Sequence, residues 1–429
     1  MRQLNMFDLV RGFSEIVDLV NNTLANHHHR VAYITDGLCQ RLEVGRSDRD
    51  RLVMAAMLHD VGVIPLRDNA DSLVFEKDME RHSLAGALLL NTCPHFRWES
   101  KLIRYHHTFW AEIEALPEEE REAARFGNII HLADIMDVHA RTRCDTPELA
   151  RALKAKSGRE FPQAGVEAAL DLFSDPEFFS GLTMAARELR LPPNPELMLS
   201  PDEATVFSLL FSHVIDARSS FTATHSSGVA HLARYIHKLA GLPEEHLQTM
   251  FVAGLLHDIG KLGVPLNLLE KPGPLTGEEF ALVSRHAALS LDVLSSIPGF
   301  EKVAPWGALH HEKLNGRGYP GGLGAEELSL ESRITAVADV LTALTEDRPY
   351  RPGLGNDQTL RILGEMVVEG GLDADLVGLV HENMEDIAEV RRLAQNLARK
   401  FFRGLAADIQ TAVAGPAGGP FLMEKNGGL

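Results

Sequence analysis

The stretch Leu255-Leu256-His257-Asp258-Ile259-Gly260-Lys261 sets a histidine beside an aspartate at the end of an apolar run, where a glycine then stops the helix. Neutral imidazole next to carboxylate makes a mixed nitrogen and oxygen grip suited to first-row divalent metals, and Lys261 adds a fixed positive charge one turn on. The doublet alone is weak evidence, because a surface histidine beside an aspartate is common. What strengthens it is the company of His225, His286, His310, His311 and Asp339. With His257 and Asp258 these make seven donors, too many for one tetrahedral ion. They suit two metals, roughly 3.5–4 Å apart, bridged by Asp258 and a hydroxide. Such a pair clamps the attacking and leaving oxygens of a phosphoryl transfer, with the hydroxide as nucleophile and the ions carrying the charge that develops on phosphate. Asp258 is therefore the candidate catalytic residue that these donors point to, and the alternative is seven unrelated polar side chains.

The same pattern occurs twice. Phe13-Ser14-Glu15-Ile16-Val17-Asp18 matches Phe211-Ser212-His213-Val214-Ile215-Asp216 at an offset of 198 residues, which also carries His27 onto His225 and His59-Asp60 onto His257-Asp258. After a six-residue insertion His82 falls on His286 and His106-His107 on His310-His311, and one further residue of slip places Asp134 on Asp339. Matches in this order at nearly constant spacing indicate a duplicated domain. The first copy thus offers His27, His59, Asp60, His82, His106, His107 and Asp134 as a possible second metal site.

Only a bundle of helices brings such scattered residues together. Apolar residues recur at helical spacing in Phe7, Val10, Phe13, Val17 and Val20, and again through Leu52, Ala55, Ala56 and Leu58, while alternating strand patterns are scarce. The predicted fold is all-α, two tandem helical bundles. Prolines at Pro192, Pro193, Pro195 and Pro201 mark a stiff connection, so the domains are expected at 1–198 and 199–412, with a loose tail over 413–429. Residues 146–190 and 356–412 read as helices that complete the two copies.

The chain of 429 residues is 45% apolar and 24% charged, ordinary for a globular protein with ample core. Its net charge of −18 argues against holding long nucleic acid by a general field, although a small anionic ligand fits wherever lysine and arginine cluster. Cys39, Cys93 and Cys144 lack paired spacing and read as reduced residues. No signal-peptide core and no run of about 18 uncharged apolar residues appears, so a cytoplasmic protein with no membrane span is expected. A homodimer is a candidate assembly.

The His-Asp stretch, together with His310-His311-Glu312-Lys313-Leu314-Asn315-Gly316-Arg317-Gly318-Tyr319-Pro320 and the run Val337 to Thr345 ending in Asp347-Arg348-Pro349-Tyr350, resembles the HD-GYP branch of the HD phosphohydrolase superfamily. The resemblance covers about residues 205–400. It implies a helical bundle with a two- or three-metal centre, iron or manganese in character. It further implies hydrolysis of the second messenger cyclic di-GMP to pGpG and, in many members, GMP. The donors named above match the family's metal ligands, and Lys261 its phosphate-facing lysine. Arg317, Gly318, Tyr319 and Pro320 fall on the loop that gives the family its name, where glycine permits a tight turn and tyrosine can pack against a guanine. Arg348 and Arg351 match basic residues near the nucleotide phosphates.

The departures are informative. Phe221 replaces the glutamate of three-metal members, which favours two ions; Asn315 and Thr342 stand where aspartates are common. In the first copy Val63 occupies the lysine position, and Thr108-Phe109-Trp110-Ala111-Glu112 replaces the Gly-Tyr-Pro loop. That copy reads as a divergent HD domain with altered or lost chemistry, in which Phe109 and Trp110 are core or ligand-stacking residues. Two other readings stand beside the leading one: an HD-type hydrolase of another nucleotide, and a non-catalytic sensor of cyclic dinucleotide or metal.

Overall fold

The computed structural model describes residues 3–20, 26–66, 79–141, 146–178, 182, 189–192, 194–218, 224–347 and 352–414. Phe221, Arg348, Arg351 and the tail over 415–429 lie outside these residues. The chain is all-α. Apart from isolated bridges, β-structure among the described residues is one antiparallel pairing of Leu4 with Leu199 and Asn5 with Met198. Two compact units form, one of residues 26–191 with 404–429 and one of residues 1–25 with 192–403.

The first unit contains helices His27–Arg41, Arg46–Leu58, Met79–Asn91, Arg97–Arg104, Glu118–Arg141, Thr146–Lys156 and Gln163–Phe173. From Leu52 to Leu58 every residue of the second of these is fully buried. A helical half apolar on all sides has no solvent face, so this half lies in the middle of its bundle, while the charged first half from Arg46 to Arg51 reaches its edge. His27–Arg41 packs against it and against Glu118–Arg141, which brings His27 and Asp134 to the same core.

The second unit repeats that plan with Pro201–Arg218, His225–Leu239, Leu247–Leu256, Gly277–Ser295, Val303–Ala308 and Leu330–Thr345, completed by Asn356–Val368, Ala374–Glu382 and the part of Met384–Ala414 up to Arg403. Start signals are explicit. Thr276 and Glu279 form a reciprocal capping box at Gly277, Ser329 accepts from the Ser332 N–H before Leu330, and Asp373 accepts from the N–H groups of Asp375 and Leu376.

The units part between residues 191 and 192 rather than near 198, and the first 25 residues belong with the second unit. Asn5 caps the helix Met6–Val17 by accepting from the Phe7 N–H at 2.8 Å. Its Leu9, Val10, Phe13 and Ile16 are fully buried. Phe13 stacks on Phe211, its own repeat equivalent, with centroids 3.7 Å apart and planes 4° off parallel. Periodicity foretells that helix but not which core receives it.

Candidate metal centre

In the second unit each expected donor sits at a helix end or on an inward face. His225 opens the helix His225–Leu239; His257 and Asp258 follow directly on Leu247–Leu256. His286 and Asp339 lie within Gly277–Ser295 and Leu330–Thr345, and His310 and His311 follow soon after Val303–Ala308. Gly260 makes the closest of these approaches possible. A Cβ there would lie 2.0 Å from the carbonyl oxygen of His286, so only glycine lets the turn after Asp258 lie against the helix carrying His286. Gly62 abuts His82 in the first unit in the same way.

Asp258 is the hinge of the arrangement. Its Oδ2 lies 3.1 Å from His257 Nε2 and 3.8 Å from His225 Nε2, whereas Oδ1 lies 3.3 Å from His286 Nε2 and 3.7 Å from His310 Nε2. Asp339 Oδ1 closes the first side, 3.1 Å from His225 Nε2 and 4.0 Å from His257 Nε2. His311 joins the second side, its ring 4.0 Å from that of His310 and 5.0 Å from that of His286. Two sets of converging donors result, His225, His257 and Asp339 on one side, and Asp258, His286, His310 and His311 on the other. All but the half-buried His311 are buried.

The ring nitrogens are pre-oriented. His257, His286 and His310 each direct Nδ1 at a backbone carbonyl three residues earlier, at 2.8, 2.7 and 2.8 Å. Such a bond puts the proton on Nδ1 and leaves the Nε2 lone pair for the centre. Those three Nε2 atoms and Asp258 Oδ1 are buried without a hydrogen-bond partner. Polar atoms are not left so without a reason, and nitrogen and carboxylate donors of this kind are the ones that could hold a metal ion.

Electrostatics agree. Burial lowers His310 well below the usual imidazole value and His311 to about 4, keeping both neutral and ligand-ready. Burial opposes ionisation of Asp258, yet His257 and Lys261 override it and hold the carboxyl well below its usual range. Burial likewise disfavours the His225 imidazolium, but Asp339 and Glu346 outweigh it and raise the group to about 10. The carboxylates on that side thus demand a positive charge. Lys261 is bonded to Asp258 Oδ2, at the rim of the centre.

Several contributors escape a reading of motifs. Glu346 accepts from Thr224 at 2.6 Å and from Gln395 at 3.0 Å, and its other oxygen lies 3.2 Å from His225 Nδ1, so it orients that ring from 121 residues away. Glu312, buried within the motif, anchors the loop by accepting from the N–H groups of Gly321 at 2.5 Å and Leu323 at 3.0 Å. Gly318 packs so tightly over Glu312 that a Cβ would come within 2.4 Å of the Glu312 Cα. Tyr319 stands 4.7 Å from the His311 ring and 5.8 Å from Phe280, a phenylalanine left 51% exposed beside the centre. Arg317 and Pro320 are exposed on the same loop.

The first unit gathers its seven expected residues likewise. Asp60 points Oδ2 at His59 (3.3 Å) and His27 (3.9 Å) and Oδ1 at His82 (3.3 Å). His82 Nε2 lies 3.4 and 3.1 Å from the Nε2 atoms of His106 and His107, and Asp134 Oδ1 lies 3.5 Å from His27. The surroundings differ in charge. Asp137 takes the part of Glu346, 2.7 Å from His27 Nδ1, and Arg30 donates to it at 2.5 and 3.1 Å. Gly228 and Thr342 occupy those two positions in the second unit, touching without charge. Burial raises Asp134 above its usual value, whereas the histidine contacts of Asp339 lower it despite burial. Val63 is buried where the second unit carries its lysine, and half-buried Phe109 lies parallel to His131 at 6.3 Å.

Residues 210–376 and residues 24–138 each match an HD domain family. A 3′3′-cGAMP-specific phosphodiesterase of Vibrio cholerae, phosphodiesterase 1, is 32% identical over 377 residues, covering 84% of this chain and 87% of that protein. The cyclic di-GMP phosphodiesterase PA4108 of Pseudomonas aeruginosa is 40% identical over 146 residues, 34% of this chain and 35% of that one. The crystal structure of a cyclic GMP-AMP specific phosphodiesterase from V. cholerae superposes with a TM-score of 0.64 at 24% identity, covering 89% of this chain and 98% of that one, a likeness of fold. With the His-Asp arrangement built twice and the identity sustained along most of the chain, the protein belongs to the HD-GYP family of HD-domain metal-dependent phosphohydrolases, as a tandem of two HD domains whose first copy lacks the Gly-Tyr-Pro loop.

Proposed function

We propose that the second domain, residues 199–412, hydrolyses a phosphodiester bond of a 3′3′-cyclic dinucleotide that contains guanine. The observation that carries this reading is Asp258, which turns one oxygen to each of two sets of donors. His225, His257, Asp258 and Asp339 would hold one divalent ion, and Asp258, His286, His310 and His311 a second, iron or manganese. Such ions supply Lewis-acid stabilisation of phosphate charge and generate a nucleophile from water at neutral pH. Lys261 brings its ammonium to the edge of the centre, where it meets a non-bridging phosphate oxygen. Tyr319 and exposed Phe280 offer aromatic faces to a nucleobase. In the reaction the oxygen of water bonds to phosphorus, the bond from phosphorus to the 3′-oxygen breaks, and that oxygen takes a proton. The product is a linear dinucleotide with a 5′-phosphate.

A relative named for 3′3′-cGAMP extends over both HD domains and supports that nucleotide as the first candidate. Cyclic di-GMP is the second reading, supported by a relative more similar over a shorter stretch. Rates on the two nucleotides, followed separately and in competition by mass spectrometry, decide between them. Absence of a linear product from both, with metal-loaded protein, defeats the proposal. The first domain keeps a donor set and has Arg30 inside its ion-pair network, but it carries Val63 in place of the lysine and has no Gly-Tyr-Pro loop. We assign it metal binding without this hydrolysis.

A further inference from the structure

A different cluster in the second unit carries none of the chemistry above. His237 lies near the C-terminal end of His225–Leu239, His246 in the short turn Glu244–His246, and Glu331 in the first turn of Leu330–Thr345. One ligand atom from each lies within 4.8 Å of the others. We propose that His237, His246 and Glu331 form a separate divalent-metal site of the two-histidine, one-carboxylate type that zinc takes, completed by water.

The buried histidine is the strongest argument. His237 has no solvent exposure, and neither of its ring nitrogens has a hydrogen-bond partner. Burial lowers its proton affinity, so the ring is neutral and offers a lone pair. A buried imidazole lacking both bonds pays a desolvation cost that a metal ion removes. Its ring lies 6.4 Å from that of His246, and His246 Nδ1 lies 4.0 Å from Glu331 Oε1. Donors around a tetrahedral ion with bonds of about 2.0 Å stand roughly 3.3 Å apart, so side-chain movements of about 1 Å or less close the site. His246 Nε2 accepts from Lys302 at 2.8 Å. An ion on Nδ1 shifts the ring proton to Nε2, so the ammonium must leave. Lys302 is exposed, 5.8 Å above the Trp306 ring, and its unbranched chain is free to swing.

The placement gives the site a purpose. His225 and His237 share one helix, and Asp339 and Glu331 share another packed against it. At 1.5 Å per residue the histidines are roughly 18 Å apart and the carboxylates roughly 12 Å. One end of the helix pair builds the His-Asp centre, and the other end is where this further ion fastens the same two helices together.

The test uses the full chain, stripped with chelator, re-equilibrated with zinc and desalted, with zinc per chain read by mass spectrometry. A His246→Ala, Glu331→Gln double variant is expected to hold one zinc fewer than the parent. Asp258→Asn, which damages the other centre, is expected to keep that zinc. Cobalt gives an independent readout: the visible bands of a four-coordinate site persist in Asp258→Asn and disappear in the double variant. Equal zinc content and equal cobalt spectra in parent and double variant would overturn the proposal. Should the double variant fail to fold by circular dichroism, His246→Ala alone, at a partly exposed position, is read in the same way. Because the site shares no donor with the His-Asp centre, its failure leaves the proposed hydrolysis untouched.

Discussion

At the scale of single residues, the donors were legible because motifs place them, and their supports were not. The His-Asp doublet and the duplicated register name all seven donors of each copy. Glu346 carries no local signal; its part depends on one helix end meeting His225 from 121 residues away. Glu346→Gln keeps the shape but removes the anion that holds His225 and raises its proton affinity. Loss of such an outer partner costs about 10–100-fold in metal affinity, which competition with a chelator will measure. Phe280 escaped notice because an exposed phenylalanine on a helix has no motif. Stacking on a base is worth about 1–3 kcal/mol. Phe280→Ala is therefore expected to raise KM for the dinucleotide by about tenfold while kcat changes little, and steady-state kinetics check it.

At the scale of elements, apolar periodicity and caps identify the helices, but their partners emerge only in three dimensions. His213 sits in the repeated segment Phe211 to Asp216, where the first copy has Glu15. Folding buries it against Phe401, rings 3.8 Å apart, on the helix Met384–Ala414. Burial lowers its pKa to about 3. An unfolded histidine takes its proton near pH 6.5. Between those values the unfolded chain binds more protons, so the contribution of a neutral His213 is complete above about pH 6.5 and is lost as pH falls toward 3, by up to about 1.4 kcal/mol per pH unit. His213→Phe keeps an aromatic ring there and removes the titration. Denaturant midpoints at pH 7.5 and pH 5 are expected to fall less for this variant than for the parent. The Gly-Tyr-Pro loop follows the same logic: its glycines were legible, while the buried carboxylate of Glu312 that ties the loop down is a tertiary fact.

At the scale of the whole molecule, duplication, helical class and the pairing of motif with family were readable in one sequence. No helix among the described residues is long and apolar enough to cross a membrane. What the sequence hid is that the first 25 residues complete the second unit. Amphipathic spacing says that Met6–Val17 needs a core, not which of two related cores has the vacancy. Phe13→Ala removes a fully buried ring stacked on Phe211 and is expected to destabilise the unit that holds the His-Asp centre by about 3–5 kcal/mol, visible in its chemical denaturation. A chain beginning at residue 199 lacks this helix and is expected to unfold at lower denaturant than the full protein. The central claim is that the Asp258 centre cleaves a cyclic dinucleotide. Its most direct test is mass spectrometry of products from 3′3′-cGAMP and cyclic di-GMP incubated with anaerobically prepared, metal-assayed protein, beside Asp258→Asn. A linear dinucleotide formed by the parent and absent with the variant is the predicted result; intact nucleotides with both ions bound, or cleavage that survives Asp258→Asn, would contradict it.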